Sequence, residues 1–371
     1  MDLLPGVSAH TTPTDRLTVH WLEYGPSDGE PVVLVQGNLS TGRFYEHVMA
    51  QLAEVTAAAR PDGARPLRLI APDMRGFGRT DKLPVDATRG LRDWSDDIHA
   101  LLVAIGVTEP VHLVGWSAGG LAISHYAMEH GTLPDGTPSV ASLTYICPVS
   151  PYGYGGVHRD GTPCHPDFAG TGAAGANPEL VQRLRDRDAS SESPFSIRNV
   201  INGLYWRPDF RLPPEREDLL VEEILMTSIG EGTYPGNGAT SPNWPGFAPG
   251  TTGMLNALSP KYANWSGVLD LDPKPPILWT QGTVDLIVSD HSALELGSLG
   301  AMGVIPGWPG AEVYPPQPMV TQIRDVLTAY EKAGGSVQLE MFEGSGHGPL
   351  YDAQDRWCDV VGSFLATART R

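Results

Sequence analysis

Three things are scarce in this chain. Its 371 residues contain 3 cysteines, and 25 lysines and arginines stand against 43 aspartates and glutamates. No long apolar run is present either. The cysteines, Cys147, Cys164 and Cys358, are far apart and odd in number, without a CxxC or Cys/His ligand spacing. That pattern argues against a zinc motif and a disulfide framework, and fits reduced thiols in a cytoplasmic protein. The net charge of −18 repels nucleic acid and anionic lipid, so neither is expected as a partner, and its plain consequence is solubility. The opening MDLLPGVSAHTTPTD has neither the positive start nor the apolar run of a secretory signal. No window approaches the roughly 18 apolar residues of a membrane span. No G-x-G-x-x-G follows the first apolar run, PVVLVQG, so the dinucleotide-binding fingerprint is missing there. Internal repeats and low-complexity tracts are also lacking.

With 41% hydrophobic and 18% charged residues the composition is that of a globular protein, long enough for one large two-sided core and a second unit. RLTVHWLEYG (16–25) alternates apolar and polar and predicts an edge strand or hairpin arm. PVVLVQG (31–37) is a short apolar run of the kind buried on both faces of a parallel sheet, and RLIAPD (68–73), VHLVGWS (111–117), SLTYICPVS (142–150), PPILWTQGTVD (275–285) and SVQLEMF (336–342) are read as further strands. Between them lie helical patterns at 44–55, 91–106, 119–130 and 356–368. The alternation predicts an α/β fold with a mainly parallel sheet flanked by helices. From 151 to 267 the rhythm stops. Glycine, proline and tryptophan dominate there, with helical stretches at 178–188 and 216–230 and a loop-like 234–253. A structureless segment of that length would be unusual, so a partly helical packed unit is expected.

Gly115-Trp116-Ser117-Ala118-Gly119 matches G-x-S-x-G at a strand-to-helix junction. The chemistry needs a tight turn: glycines two residues to either side leave space while the turn lifts the Ser117 hydroxyl above the sheet. A plain glycine-rich turn is the alternative. A serine attacks only when a base takes its proton. His347, in GSGHGP after the last strand, is the candidate, and His291 is less well placed. Asp285, at the end of its strand, is the candidate to orient the imidazole. Asp290 competes for that role, or caps the helix-like HSALELGSLG. Two backbone donors are needed for the oxyanion, and the amides of Ala118 and of Asn38, in QGNLS after the first parallel strand, are the candidates.

These motifs together resemble the α/β-hydrolase superfamily. The resemblance rests on QGNL, DMRGFGRTD (73–81), GWSAGG, GTVD and GSGHG in the family's order, and covers the chain outside 151–267. It implies a core formed by 1–150 and 268–371, a cap inserted at 151–267, and Ser117, Asp285 and His347 as triad. It implies no metal and no organic cofactor, and a structural role for the Asp-x-Arg-Gly turn. Two departures stand out. Gln36 and Leu39 occupy places where the family commonly has histidine and proline, and 303–320 adds a loop between acid and base, expected at the rim of the site or at a contact between copies in a homo-oligomer. The expected activity is hydrolysis, through an acyl-enzyme, of a carboxylic ester or lactone of a small to medium-sized, largely apolar molecule. Acyl transfer, amide or C–C bond hydrolysis, and ligand reception without turnover remain as alternatives. Trp206, Trp244, Trp265, Trp308, Tyr152 and Tyr154 are candidates for pocket lining, and equally for core.

Overall fold

The computed structural model describes residues 2–369. A hairpin of β1 (Val7–Pro13) and β2 (Thr18–Tyr24) leads into β3 (Glu30–Val35), α1 (Glu46–Ala58), β4 (Leu67–Pro72), α2 (Arg92–Ala104), β5 (Val111–Trp116), α3 (Ala118–Glu129) and β6 (Val140–Ile146). Then come α4 (Pro178–Arg185), α5 (Ile197–Leu204) and α6 (Pro214–Ile224). Four short strands follow, β7 (Ile229–Gly230), β8 (Tyr234–Pro235), β9 (Gly238–Thr240) and β10 (Phe247–Pro249), with the one-turn helix α7 (Met254–Ala257). The chain closes with β11 (Ile277–Gly282), α8 (Leu296–Ala301), α9 (Met319–Lys332), β12 (Val337–Phe342), α10 (Pro349–Asp352) and α11 (Gln354–Thr367).

Eight strands form one sheet in the order β1-β2-β4-β3-β5-β6-β11-β12, parallel from β4 to β12. Every residue of β4, β5, β6 and β11 is buried, as their unbroken apolar runs require. Register aligns Ile70, Val33, Leu113, Leu143 and Ile277 in one row across five strands, each with 0% exposure. Helix α1 packs with α11, and α2 with α3, to flank the sheet. The 16–25 run is β2, but it pairs with both β1 and β4, so the edge is β1. Helix α2 ends two residues before Gly106, whose φ of 74° closes the turn through Val107 N–H to Leu102 O at 2.9 Å.

The segment between β6 and β11 carries α4 to α7 and the short strands, in two separate two-stranded pairs. Helix α5 lies in a stretch where no helix is expected from the sequence. The loop-like 234–253 is held by polar side chains. Asn256 Oδ1 accepts from Ala173 N–H (2.9 Å) and Gly250 N–H (3.1 Å), while Nδ2 donates to Asn237 O and Thr252 O, both at 2.7 Å. The 303–320 loop packs on this segment. Tyr314 Oη donates to Ala169 O at 3.2 Å, Gln317 Nε2 to Gly153 O at 3.1 Å, and Trp308 Nε1 closes the loop on Tyr314 O at 2.9 Å.

Candidate active site

The carboxyl ends of β3, β5, β6, β11 and β12 deliver Asn38, Ser117, Cys147, Asp285 and His347 to one edge of the sheet, where ligands bind in open parallel sheets. Ser117 sits at φ 55°, ψ −116°, directly before α3. That conformation is costly for a residue with a Cβ, and neighbouring bonds hold it: Ser117 N–H donates to Ile146 O (2.8 Å), and Ser117 O accepts from Gly120 (3.0 Å) and Val149 (3.1 Å). The motif glycines are required by space. A Cβ at Gly119 would lie 2.4 Å from Val35 O, and one at Gly115 would lie 2.5 Å from Gly119 O. The Ser117 hydroxyl is half-buried and makes no hydrogen bond among the described residues.

His347 and Asp285 are buried and joined by Nδ1 to Oδ2 at 2.8 Å. Asp285 also accepts from Gln281 Nε2 (3.0 Å), Ile287 N–H (2.7 Å) and Val288 N–H (3.0 Å). These donors fix the carboxylate in place, and its acceptance from the ring orients the imidazole with the hydrogen on Nδ1. Nε2 is thereby left as the ring's acceptor. Asp290 does not compete. Its carboxylate accepts from Thr321 N–H (3.0 Å) and Thr321 Oγ1 (2.6 Å), capping α9 across the chain. The cap of α8, the helix expected from HSALELGSLG, is Glu295, through Gly297 N–H and Ser298 N–H at 2.8 Å each. His291 is exposed.

Asn38 and Ala118 flank the serine. A Cβ at Gly37 would lie 3.2 Å from Ser117 Cβ, so the β3 loop rests on the nucleophile turn. Ala118 N–H is the first amide of α3, and neither it nor Asn38 N–H has an acceptor among the described residues. Gln36, in place of histidine, ties this loop down: Nε2 donates to Ser40 O, and Oε1 accepts from Met74 N–H at 3.1 Å. Leu39 takes φ 49°. Behind the site, Asp73 of DMRGFGRTD accepts from Gly42 N–H (2.9 Å) and Arg79 N–H (2.8 Å), and Arg75 pairs with Asp97.

Four residues of the surroundings are not legible as site residues from the sequence. Trp116 Nε1 donates to His347 O at 2.8 Å, anchoring the base loop to the residue before the serine. Tyr205, at the end of α5, donates to Asn38 O (3.1 Å) and Leu39 O (3.3 Å), and its own carbonyl accepts from Gly348 N–H (2.8 Å). It thus joins the β3 loop to the His347 loop, and burial raises its phenol above the usual range. Asp352 completes the His347 loop by accepting from Gly346 N–H (2.8 Å) and from the Ser345 hydroxyl. Cys147, at φ 42°, lies beside Asp285 and His347, and burial, then the Asp285 charge, push its thiol well above the ordinary range. Its sequence signal is only that it follows β6. Of the candidate aromatics, Trp265 is core, stacked 5.1 Å from Tyr145, and Trp206 packs on Tyr351 at 4.5 Å. Tyr154 Oη donates to Ile287 O at 2.8 Å, bracing the Asp285 loop.

No helix among the described residues is long and apolar enough to cross a membrane. The chain is 32% identical over 139 residues to a cis-3-alkyl-4-alkyloxetan-2-one decarboxylase of Xanthomonas campestris, covering 34% of this chain and 39% of that protein. It is 28% identical over 138 residues to a haloalkane dehalogenase of Mycobacterium marinum, covering 34% and 43%. The matched stretch is thus about two fifths of either relative's length. Among solved structures, an esterase from Exiguobacterium antarcticum superposes with a TM-score of 0.58 at 15% identity, over 97% of this chain and all of that one. An esterase from a Rhodococcus species gives 0.53 at 20% identity, over 98% and 99%. These similarities establish the fold. The family model described as the alpha/beta hydrolase family matches residues 32–360, in keeping with the sheet order and the serine turn, and the chain belongs to that family.

Proposed function

We propose that the protein is a serine hydrolase that cleaves a carboxylic ester or lactone of a small to medium-sized, largely apolar molecule, with no metal or organic cofactor. Ser117 Oγ attacks the carbonyl and His347 Nε2 takes its proton. Asp285 stabilises the imidazolium, and the Asn38 and Ala118 amides receive the oxyanion. His347 then returns the proton to the leaving alkoxide, and water, activated by the same nitrogen, releases the acid. The carrying observation is the buried His347–Asp285 pair, 2.8 Å apart, at the same sheet edge as a serine held at φ 55°. The 151–267 segment acts as a cap that selects substrate and supplies no triad member. Its Tyr205 braces both site loops, which supports that reading. The free cysteines fit a reducing cytoplasm.

A cyclic ester is favoured among substrates by one relative, whose name specifies an oxetan-2-one, a four-membered lactone. The dehalogenase relative points elsewhere, but dehalogenases of this fold use an aspartate nucleophile where this chain has Ser117. The test is a panel of aryl ester, lactone, amide and thioester, with a serine-directed organophosphonate. Ester or lactone turnover, and labelling lost in Ser117→Ala, is the expected outcome. Labelling without turnover would indicate a ligand receptor, and turnover retained in Ser117→Ala would end the serine mechanism.

A further inference from the structure

Cys147 stands far in sequence from Asp285 and His347, yet all three side chains are buried, and their ligand atoms lie within 4.8 Å of one another. Its backbone is held in the left-handed region (φ 42°) by Cys147 N–H to Thr280 O at 2.9 Å, and its Sγ lies 3.9 Å from Gly346 O, in the His347 loop. The thiol is thus aimed by the fold rather than free to turn away. It has no part in the proton transfers above, and burial beside a carboxylate keeps it protonated and a poor nucleophile.

Thiolate, imidazole and carboxylate are the donor set of borderline-soft divalent cations. A tetrahedral centre with such bonds places its donors roughly 3.3–3.8 Å apart, so closing this trio asks for shifts of about an ångström. We propose that Cys147, Asp285 and His347 form an inhibitory site for a thiophilic divalent cation such as Zn²⁺ or Cd²⁺, which enters between His347 Nδ1 and Asp285 Oδ2 and switches off the base. The inference rests on the serine-hydrolase reading for its consequence, but not for the site.

The atoms balance without any redox partner. The cation bonds to Cys147 Sγ, Asp285 Oδ2 and His347 Nδ1. The thiol proton goes to solvent. The Nδ1 proton is displaced and the imidazole, still neutral, carries its hydrogen on Nε2. That nitrogen then has no lone pair for the Ser117 proton. Inhibition therefore comes from the wrong tautomer, with the serine untouched. The cation's charge offsets both the cost of deprotonating a buried thiol and the lost Nδ1–Oδ2 hydrogen bond.

The test titrates Cd²⁺ into the full chain and follows two signals, ester hydrolysis and the ultraviolet charge-transfer band of a cadmium thiolate. In the wild type the band should saturate at one ion per chain, and hydrolysis should fall by about tenfold or more, with recovery on chelation. Cys147→Ser should lose the band, and whatever its own rate without the ion, that rate should resist Cd²⁺. Cys147→Ala should do the same, which covers failure of one variant to fold. Cys164→Ser, changing a thiol elsewhere, should keep band and inhibition. If no substrate is turned over, the serine-hydrolase reading fails while the band still decides the site. A wild type without the band, or a band and inhibition that survive in Cys147→Ser or Cys147→Ala, would overturn the proposal.

Discussion

In β5 all six residues are buried, and Leu113 stands in an apolar row that runs across the sheet from Ile70 to Ile277. In 234–253 the backbone turns instead around two asparagines, Asn237 and Asn256, whose side chains bond the chain at 250–252 and 173. The first kind of order comes from removing apolar surface from water, which is non-directional and summed over many residues. The second comes from a few directional bonds, each worth about 0.5–1.5 kcal/mol net. Order in the sheet therefore rests on apolar burial, whereas the 151–267 segment adds directional bonds to the site loops, which Gln36, Trp116 and Asp352 also hold. At the site the two regions meet through polar bonds, Tyr205 Oη on the β3 loop and Arg207 N–H on Asp352 at 2.9 Å, and through rings, Tyr205 with Trp116 at 5.5 Å and Trp206 with Tyr351 at 4.5 Å.

Substitutions can separate these contributions. The largest effect is expected at the sheet edge. Asp285→Asn should lower kcat by roughly 10⁴-fold with the fold retained. Asn Oδ1 can still accept from Ile287 and Val288, but Nδ2 then faces Gln281 Nε2 and His347 Nδ1, so the histidine takes the wrong tautomer. Steady-state kinetics and a melting curve decide it, and an unchanged kcat would remove Asp285 from its role. Next is Leu143→Ala in β6, which empties a fully buried position and should cost about 2–5 kcal/mol in denaturant unfolding, with turnover per folded molecule little changed.

Acid should act on the seam between the regions. His125, on α3, is buried with Nδ1 unpartnered and Nε2 3.4 Å from Asn264 O, and burial, then Arg92, lower its pKa to about 3. An unfolded histidine takes its proton near pH 6.5, so between those values the unfolded chain binds more protons. Stability is complete above about 6.5 and declines as the pH drops toward 3, by at most about 1.4 kcal/mol per pH unit for this group. Urea titrations of wild type and His125→Gln measure it, and equal slopes would assign the loss to other groups.

Smaller effects follow from single polar contacts. Tyr205→Phe removes the donor to Asn38 O and Leu39 O, and should reduce kcat by about 2–10-fold, the equivalent of one ordinary hydrogen bond, with little change in Tm. An effect on Tm alone would make Tyr205 part of the scaffold and not of the site. Asp290→Asn should weaken the α9 cap by about 0.5–1 kcal/mol and leave hydrolysis unchanged. A large loss of turnover there would reverse the assignment of the acid.

What the sequence alone determined is what depends on near neighbours. Apolar runs mark β3, β4, β5, β6 and β11, because a strand buried on both faces leaves no polar alternation, whereas β12, partly exposed at the sheet edge, alternates. G-x-S-x-G at a strand end marks Ser117, because only glycine tolerates the 2.4–2.5 Å approaches on either side. Strand β1, with polar residues and a proline, is not marked, since an edge strand depends on its partner. Helix α9 carries apolar residues at helical spacing, Ile323, Val326, Leu327 and Tyr330, but its cap, Asp290, stands about thirty residues earlier in the chain and is brought near only by folding. The sequence favours Asp285 over Asp290 by its strand end, but the meeting of Asp285 with His347 Nδ1 and the placement of Trp116, Tyr205 and Cys147 around the histidine are tertiary. Those are contacts between segments up to 231 residues apart, as for Trp116 and His347, and no local period or spacing in a chain encodes the meeting of two distant side chains.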